Sequence, residues 1–209
     1  SHEIRTPLNS ILGFSELLRD DDLTKEEVKE YLDIINLSGN RMLNTINNII
    51  NISKIESGKL TRSESTFSIK DMLQYLKRYF RFQAESKRLN FFIKSEVSPK
   101  SDVLTTDYEK LMTILYNLIE NAIKYTQNGG IKVICREDSG KIVFIIKDTG
   151  MGISGDQQKS LFGLFRQADA KHSRHYEGSG IGLYLCKTYV KLLGGCIDFE
   201  SIPGVGSTF

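Results

Sequence analysis

A heptad repeat of apolar residues near the start of the chain limits the fold more than any other feature. The repeat consists of Val28, Leu32, Ile35, Met42, Ile46 and Ile49, which are separated by four, three or seven positions. This spacing predicts one long helix of about thirty residues with an apolar seam along one side. Thr24 and Glu27 form a capping-box pattern just before it, so the helix is expected to begin there.

A second helix is predicted ahead of that seam. Ile4, Leu8, Ile11 and Leu18 recur at helical spacing, and an acidic break at residues 20–22 follows them. Two such helices form a hairpin that cannot bury its own stripe, so a second copy is expected to complete a four-helix bundle. Packing of the hairpin on the second domain of its own chain is the alternative.

The residue pattern of the sequence changes after Gly58. A polar linker at residues 59–68 leads into a mixed pattern that predicts an α/β sandwich. Helices are predicted at residues 69–87, 107–125 and 182–193, and strands at 89–97, 130–136, 141–147, 196–201 and 207–209. Residues 149–179 read as a long loop with a short helix around Phe162. The predicted fold class is therefore a two-domain α+β protein, divided into residues 1–60 and 61–209.

Composition excludes several classes of protein. The 28 Lys and Arg residues against 26 Asp and Glu residues give a net charge of +2, too little for a protein that grips nucleic-acid phosphates. The longest apolar run, residues 142–146, is far shorter than the roughly 20 residues that span a bilayer. We therefore expect no nucleic-acid partner and no membrane contact. Three scattered cysteines, Cys135, Cys186 and Cys196, indicate reduced thiols that pack in the core.

Asp148, Gly150 and Gly152 follow a predicted strand. A carboxylate beside glycines that admit close backbone approach can accept the exocyclic amino group of a purine. A simple glycine turn explains the same residues, and the pattern alone leaves both interpretations open.

Gly178, Gly180, Gly182 and Leu183 stand where the long loop enters a helix. Free backbone N–H groups at a helix N-terminus favour a phosphate ligand. A dinucleotide fingerprint would need a preceding strand, which is absent from the predicted pattern.

Asn117 and Asn121 lie one turn apart on a predicted helix, with Lys124 and Tyr125 beyond them. The spacing puts both amides on one face. An amide oxygen suits a partly hydrated Mg²⁺, and Lys124 suits phosphate, but an ordinary polar helix face would look the same.

His2 and Glu3 open the chain, followed by Arg5, Thr6 and Pro7. A histidine beside a carboxylate can carry a nucleophilic nitrogen and a proton acceptor. An inert surface histidine and a cloning remnant are the alternatives. Pro7 is expected to kink or loosen the helix.

These patterns occur together and in order, and with them the chain resembles the catalytic core of sensor histidine kinases. Residues 1–8 resemble the phosphoacceptor box, 115–126 the N box and 148–152 the G1 box. Residues 161–166 resemble the F box, 178–183 the G2 box and 204–209 the G3 box. The resemblance implies a dimeric four-helix bundle followed by a Bergerat-type ATP-binding sandwich.

The resemblance also implies roles for individual residues. His2 would accept the γ-phosphoryl group, Glu3 would act as its base, and Thr6 would orient water for dephosphorylation of a regulator. Asn121 would hold Mg²⁺ and Asp148 would read adenine. The remaining nucleotide-binding residues would be Asn117, Lys124, Tyr125, Gly150, Gly152, Phe165, Arg166, Gly178, Gly180, Gly182, Leu183 and Thr208, with residues 153–179 as a mobile lid.

The implied cofactors are ATP and Mg²⁺. The implied partners are a second copy of the chain and the receiver domain of a response regulator, in trans or fused. A cytoplasmic location is expected for this fragment, with a membrane anchor elsewhere in the full protein compatible with it. A clamp ATPase of the same superfamily is one alternative, although it would carry a glutamate at Asn117 to activate water. A dimeric scaffold without kinase activity is the other.

Overall fold

The computed structural model describes residues 2–20, 22–163 and 180–209, with the backbone alone for His2, Glu3 and Arg41. The chain divides into two compact units, Ser1–Leu60 and Thr61–Phe209.

The first unit is a pair of helices, α1 (His2–Leu17) and α2 (Lys25–Glu56), that pack against each other. The rings of Phe14 and Tyr31 join them, with centroids 5.3 Å apart. The capping box at the start of α2 is confirmed: the Thr24 N–H donates to Glu27 Oε2 at 2.8 Å and the Glu27 N–H to Thr24 Oγ1 at 3.2 Å. Helix α1 continues through Pro7.

The hairpin leaves much of its apolar surface uncovered within one chain. The following side chains are between 38% and 59% exposed: Leu8, Leu12, Leu17, Leu32, Leu37, Leu43, Ile49 and Ile50. Leu8, Leu32 and Ile49 belong to the predicted stripes, whose other residues are half-buried, so one hairpin covers its predicted stripes only in part.

The second unit is built on a five-stranded sheet with the order β2-β4-β5-β7-β6. Its strands are β2 (Asn90–Ser95), β4 (Gly130–Asp138), β5 (Lys141–Asp148), β6 (Glu200–Ile202) and β7 (Gly206–Thr208). Only β2 and β4 run parallel; the other neighbours are antiparallel. Helices α3 (Ile69–Ser86) and α4 (Tyr108–Tyr125) pack on the sheet, and α6 (Gly182–Leu192) packs on α4. The buried side chains between these layers include Phe80, Leu115, Ile119, Val133 and Ile146.

A second, two-stranded sheet was not predicted from the sequence. Strand β1 (Ser65–Ser68) pairs antiparallel with β3 (Val103–Thr106). The Phe67 ring packs edge-on against Tyr108, with centroids 4.8 Å apart. Each strand has four residues, too few for an alternating pattern to stand out. The start of α4 is held beside the segment that leads into β1, since the Ser63 N–H donates to Asp107.

Helix α4 is held by hydrogen bonds at both ends. At its start, Asp107 Oδ1 accepts from the Lys110 N–H at 3.0 Å, and Oδ2 accepts from Lys110 Nζ at 2.6 Å and from the Ser63 N–H at 2.8 Å. Burial raises the pKa of Asp107, but the bonds from Lys110 and Ser63 outweigh it and hold that pKa below its usual value. At the other end, Lys87 Nζ donates to the carbonyl of Ile123 at 2.9 Å.

Three details differ from the sequence predictions. The short helix in the long loop, α5 (Gly155–Gln158), begins after Ser154 rather than around Phe162, because Ser154 and Gln157 form a capping box. Strand β6 begins at Glu200 rather than at Cys196. Cys135 and Cys186 are buried, but Cys196 is exposed and does not pack in the core. Burial raises the pKa of Cys186 to about 12, as expected of an inert core thiol.

Candidate active site

Helix α4 presents its polar face at the edge of the core. Asn117 and Asn121 are both half-buried. Asn117 Nδ2 donates to the carbonyl of Thr113 at 2.8 Å, which turns its Oδ1 away from that turn of the helix. Within the described part of the chain no hydrogen bond holds the Asn121 amide, and no buried side-chain atom lacks a partner. The Asn121 oxygen is therefore open to solvent and available to a ligand.

The start of α6 lies directly against Asn117. A β-carbon built on Gly182 would be 2.6 Å from Asn117 Oδ1, so only glycine fits there without a shift of the neighbouring side chain. Ile181, the residue before the helix, is 1% exposed and caps it with no side-chain hydrogen bond. Among the residues that the structure describes, no side-chain acceptor therefore caps the first N–H groups of α6, which lie beside an amide oxygen. A helix N-terminus in this state favours an anion.

Asp148 ends β5 with its carboxylate buried. Its Oδ1 accepts from the Gly150 N–H at 2.8 Å and from the Ser207 N–H at 3.2 Å. Oδ2 has no hydrogen bond from any residue that the structure describes, which leaves one oxygen to meet a ligand. Burial raises the pKa of Asp148 above its usual value, although the bonds from Gly150 and Ser207 oppose the shift.

The glycines of the turn after β5 allow it to approach two other segments. Gly150 packs against the end of α4: a β-carbon there would lie 3.0 Å from Thr126 Oγ1 and closer still to the Tyr125 carbonyl. The Met151 N–H donates to the Tyr125 carbonyl at 3.1 Å, and the Met151 carbonyl accepts from the Gly204 N–H at 2.8 Å. The turn is thus tied to α4 on one side and to the β6–β7 hairpin on the other.

The structure also gives the positions of other residues that the sequence predicted for this region. Lys124 Nζ lies 5.0 Å from the centre of the Tyr125 ring, with both side chains half-buried. Leu183 is half-buried on α6, and Gly180 precedes that helix with a φ of +64°.

The Ser207 N–H donates to Asp148. Thr208, which was predicted to bind nucleotide, is paired with Lys147 across β5 and β7, so its side chain shares a face with that of Lys147. Ser207 was missed as a site residue because its contribution is a backbone N–H, which carries no residue-type signal. The glycines around it were the available clue.

Phe165, Arg166 and Gly178 lie outside the described residues, as does most of the predicted lid. His2 and Glu3 begin α1, and their side chains also lie outside what the structure describes. Thr6 is exposed on the same helix, four residues after His2, so the two positions share a face.

Comparison with known families assigns both units. Residues 1–58 match the family model described as the His Kinase A (phospho-acceptor) domain. Residues 106–209 match that of the histidine kinase-, DNA gyrase B- and HSP90-like ATPases. The chain belongs to the histidine kinase family. Because the clamp ATPases of that superfamily are not built on a phosphoacceptor hairpin, the first match favours the histidine kinase over that alternative.

Individual histidine kinases align over the whole chain. The autoinducer 2 sensor kinase/phosphatase LuxQ of Vibrio parahaemolyticus is 36% identical over 215 residues, which cover 100% of this chain and 25% of LuxQ. The chain thus spans about a quarter of the length of such relatives.

Solved histidine kinase structures share the fold. Full-length ShkA in complex with AMPPNP superposes with a TM-score of 0.75 and 27% identity, covering 100% of this chain and 43% of ShkA. The histidine kinase ThkA in complex with the response regulator protein TrrA superposes with a TM-score of 0.66 at 20% identity, covering 100% of this chain and 57% of ThkA. The predicted helical hairpin followed by an ATPase-type α/β sandwich is confirmed. No described helix is long and apolar enough to cross a membrane.

Proposed function

We propose that this histidine kinase core transfers the γ-phosphoryl group of ATP to His2 and passes it to an aspartate of a response regulator. The observation that carries the proposal is that α4 contacts the start of α6 at Asn117 and the Asp148 turn at Tyr125, in a chain that also has a phosphoacceptor hairpin. In this proposal residues 1–60 form the dimerisation and phosphoacceptor domain and residues 61–209 the ATP-binding domain.

Asp148 selects the base. Its free oxygen, Oδ2, accepts a hydrogen from the exocyclic amino group of adenine, while Oδ1 stays bound to Gly150 and Ser207. Guanine presents a carbonyl oxygen at the corresponding position, which a carboxylate repels. Gly150 and Gly152 let the backbone of the turn come close to the base.

The triphosphate lies between α4 and the start of α6. The first N–H groups of α6, with Gly180 and Gly182, meet phosphate oxygens, and Lys124 adds a positive charge. Asn117, Tyr125 and Leu183 line the same region, and Phe165, Arg166 and Gly178 are proposed to complete it. Thr208 is proposed to contribute only through its backbone beside Ser207, because its side chain shares the outer face of the sheet with Lys147. The open amide oxygen of Asn121 fits a Mg²⁺ that keeps several waters and shares phosphate oxygens. Bound there, the ion would offset phosphate charge during transfer.

The transfer itself needs an acceptor and a base. One ring nitrogen of His2 attacks the γ-phosphorus while the bond to the bridging oxygen breaks, and ADP leaves with that electron pair. Glu3 takes the proton from the other ring nitrogen. In the separate phosphatase reaction, Thr6 positions the water that removes the phosphoryl group from the regulator. The LuxQ relative is a kinase/phosphatase by description, which supports both directions.

Two partners complete the proposal. A second copy of the chain covers the exposed apolar residues of the hairpin, which one chain leaves open. A receiver domain supplies the aspartate that takes the phosphoryl group from His2. The complex of ThkA with its regulator supports a partner of this kind.

Incubation with γ-labelled ATP and Mg²⁺ tests the proposal. The label should be acid-labile and alkali-stable, as phosphohistidine is, and a His2→Gln variant should bind ATP normally but take up no label. Label that persists at another residue in the variant would refute the acceptor assignment.

A further inference from the structure

The face of the five-stranded sheet that points away from the helices carries two opposed lysines. Lys132 on β4 is paired directly with Lys147 on β5, and both are exposed. Directly opposite residues have β-carbons about 4.5–5.5 Å apart, and like charges at that spacing destabilise the sheet. The fold therefore holds two positive charges together at a cost.

Acidic side chains offset this pair only weakly. The pKa of Glu96 is lowered chiefly by its hydrogen bond with Lys94 and in smaller part by the charge of Lys132. Within residues 2–20, 22–163 and 180–209, neither lysine forms an ion pair. The acids at the other end of the face are engaged with other cations: Glu96 Oε1 lies 2.8 Å from Lys94 Nζ, and Asp138 Oδ2 lies 3.6 Å from Arg136 Nη2. Glu200 is two strands away from Lys147, roughly 9.5 Å at the usual strand spacing.

Apolar side chains lie beside the two lysines on this face. Lys132 Nζ lies 5.9 Å from the centre of the Phe92 ring, which is 50% exposed. Ile134, Val143 and Ile145 lie on the same face and are half-buried. Among the described residues, the face thus combines two opposed ammonium groups that no ion pair neutralises with a shallow aliphatic surface.

This face is separate from the proposed nucleotide site. Side chains alternate along a strand, so Lys147 and the adjacent Asp148 point to opposite sides of β5. Asp148 is buried on the side of the helices, whereas Lys147 is exposed.

We propose that this outer face binds an acidic polypeptide segment through Lys132 and Lys147. Carboxylates of the segment lie between the two ammonium groups, and its apolar side chains rest on Ile134, Val143 and Ile145. A polypeptide fits better than a bilayer because the aliphatic side chains are recessed and cannot insert between lipids, and the Phe92 ring lies beneath an ammonium group. Two carboxylate contacts to paired lysines convert a destabilising pair into a complementary one.

A fluorescein-labelled peptide of alternating Glu and Val residues tests the proposal by fluorescence anisotropy, with the full chain saturated with ATP. The peptide should bind, and its affinity should fall as the ionic strength is raised above about 0.1 M, where the Debye length drops below about 10 Å. The Lys132→Gln/Lys147→Gln variant should weaken binding about tenfold, the expected sum of two exposed charge pairs. A Lys77→Gln/Lys191→Gln variant, which loses the same charge from the helical side, should bind within about threefold of the parent.

Equal weakening by both double variants would show that only net charge matters and would overturn the proposal. So would unchanged binding in Lys132→Gln/Lys147→Gln, or a peptide affinity that requires an empty nucleotide site. Vesicles of phosphatidylserine and phosphatidylcholine that bind the parent chain but not this variant, without peptide binding, would assign the face to a membrane instead.

A second variant tests the premise without a ligand. Lys147→Glu replaces the like-charged pair by an attractive one, so the melting temperature should rise at low salt and the gain should shrink at high salt. A melting temperature that is unchanged or lowered would show that the two lysines do not repel each other, and the proposal would lose its basis.

Discussion

A β-carbon on Gly182 would lie 2.6 Å from Oδ1 of Asn117, so α6 and α4 meet at a point that admits no side chain. The N box and the G2 box are thereby joined through one contact. This closeness also fixes the distance between the start of α6 and the polar face of α4, where the triphosphate is proposed to bind.

Gly182→Ala should weaken ATP binding by about tenfold or more, because either Asn117 or the start of α6 must move to admit the methyl group. Isothermal titration calorimetry measures the loss. Gly155→Ala is the matched control, since a β-carbon at Gly155 meets nothing within 4 Å. Unchanged affinity in Gly182→Ala would mean that the contact with Asn117 does not shape the nucleotide site.

Asp148→Asn should abolish the preference for ATP over GTP while the fold stays as stable or becomes more so. The amide keeps an oxygen for the Gly150 and Ser207 N–H groups and removes a buried charge. Because the folded pKa of Asp148 is raised, its contribution to the free energy of unfolding falls as pH rises from about 3.9 towards the folded pKa. In the variant, the free energy of unfolding should no longer decrease over this pH range. Melting curves of the parent and the variant at mildly acidic pH would show the difference.

The raised pKa of Asp148 also predicts that ATP binding weakens in acid. A protonated carboxyl must give up its proton before both oxygens can accept hydrogen bonds, so affinity should drop as pH falls through the folded pKa. Calorimetry on the parent and on Asp148→Asn separates this effect from titration of the triphosphate, which both proteins share. An identical pH dependence in the two proteins would contradict the assignment.

Asp107→Asn should destabilise the second unit by about 1–3 kcal/mol, the usual cost of a lost charged hydrogen bond in a buried site. The pKa of Asp107 is lowered, so its stabilising contribution is complete above the unfolded value of about 3.9 and is lost as pH falls through the folded pKa. The difference in the free energy of unfolding between the parent and the variant should therefore become smaller in strong acid. A constant difference at every pH would show that the charge of Asp107 plays no part.

Leu43→Lys should convert a dimer into monomers while ATP binding is retained. Leu43 is 59% exposed within one chain, so the substitution spares the hairpin and charges only the surface proposed to meet a second copy. Light scattering over a range of concentrations measures the change. Phe82→Lys, at a 78% exposed position on α3, alters an apolar side chain of the other unit and should leave the dimer intact.

The sequence predicted the long elements well because their signals are repeated many times along the chain. The heptads of α2 and the capping box at Thr24 and Glu27 are local and redundant, and both appear in the structure. The β1–β3 sheet was missed because its four-residue strands depend on a partner about 40 residues away. Ser207 was missed for a related reason, since its N–H reaches Asp148 through strand pairing rather than through a side chain.

The hydrogen bond from the Met151 N–H to the Tyr125 carbonyl has a thermodynamic consequence. It holds the turn that carries Asp148 against the end of the helix that carries Asn121, before any ligand arrives. Recognition of adenine should therefore require little ordering of the backbone, and discrimination between ATP and GTP should be mainly enthalpic. If this hydrogen bond were weaker, the same contacts would remain available, but each binding event would first have to order the turn, at an entropic cost. Preorganisation of the pocket therefore depends on the backbone carbonyl of Tyr125.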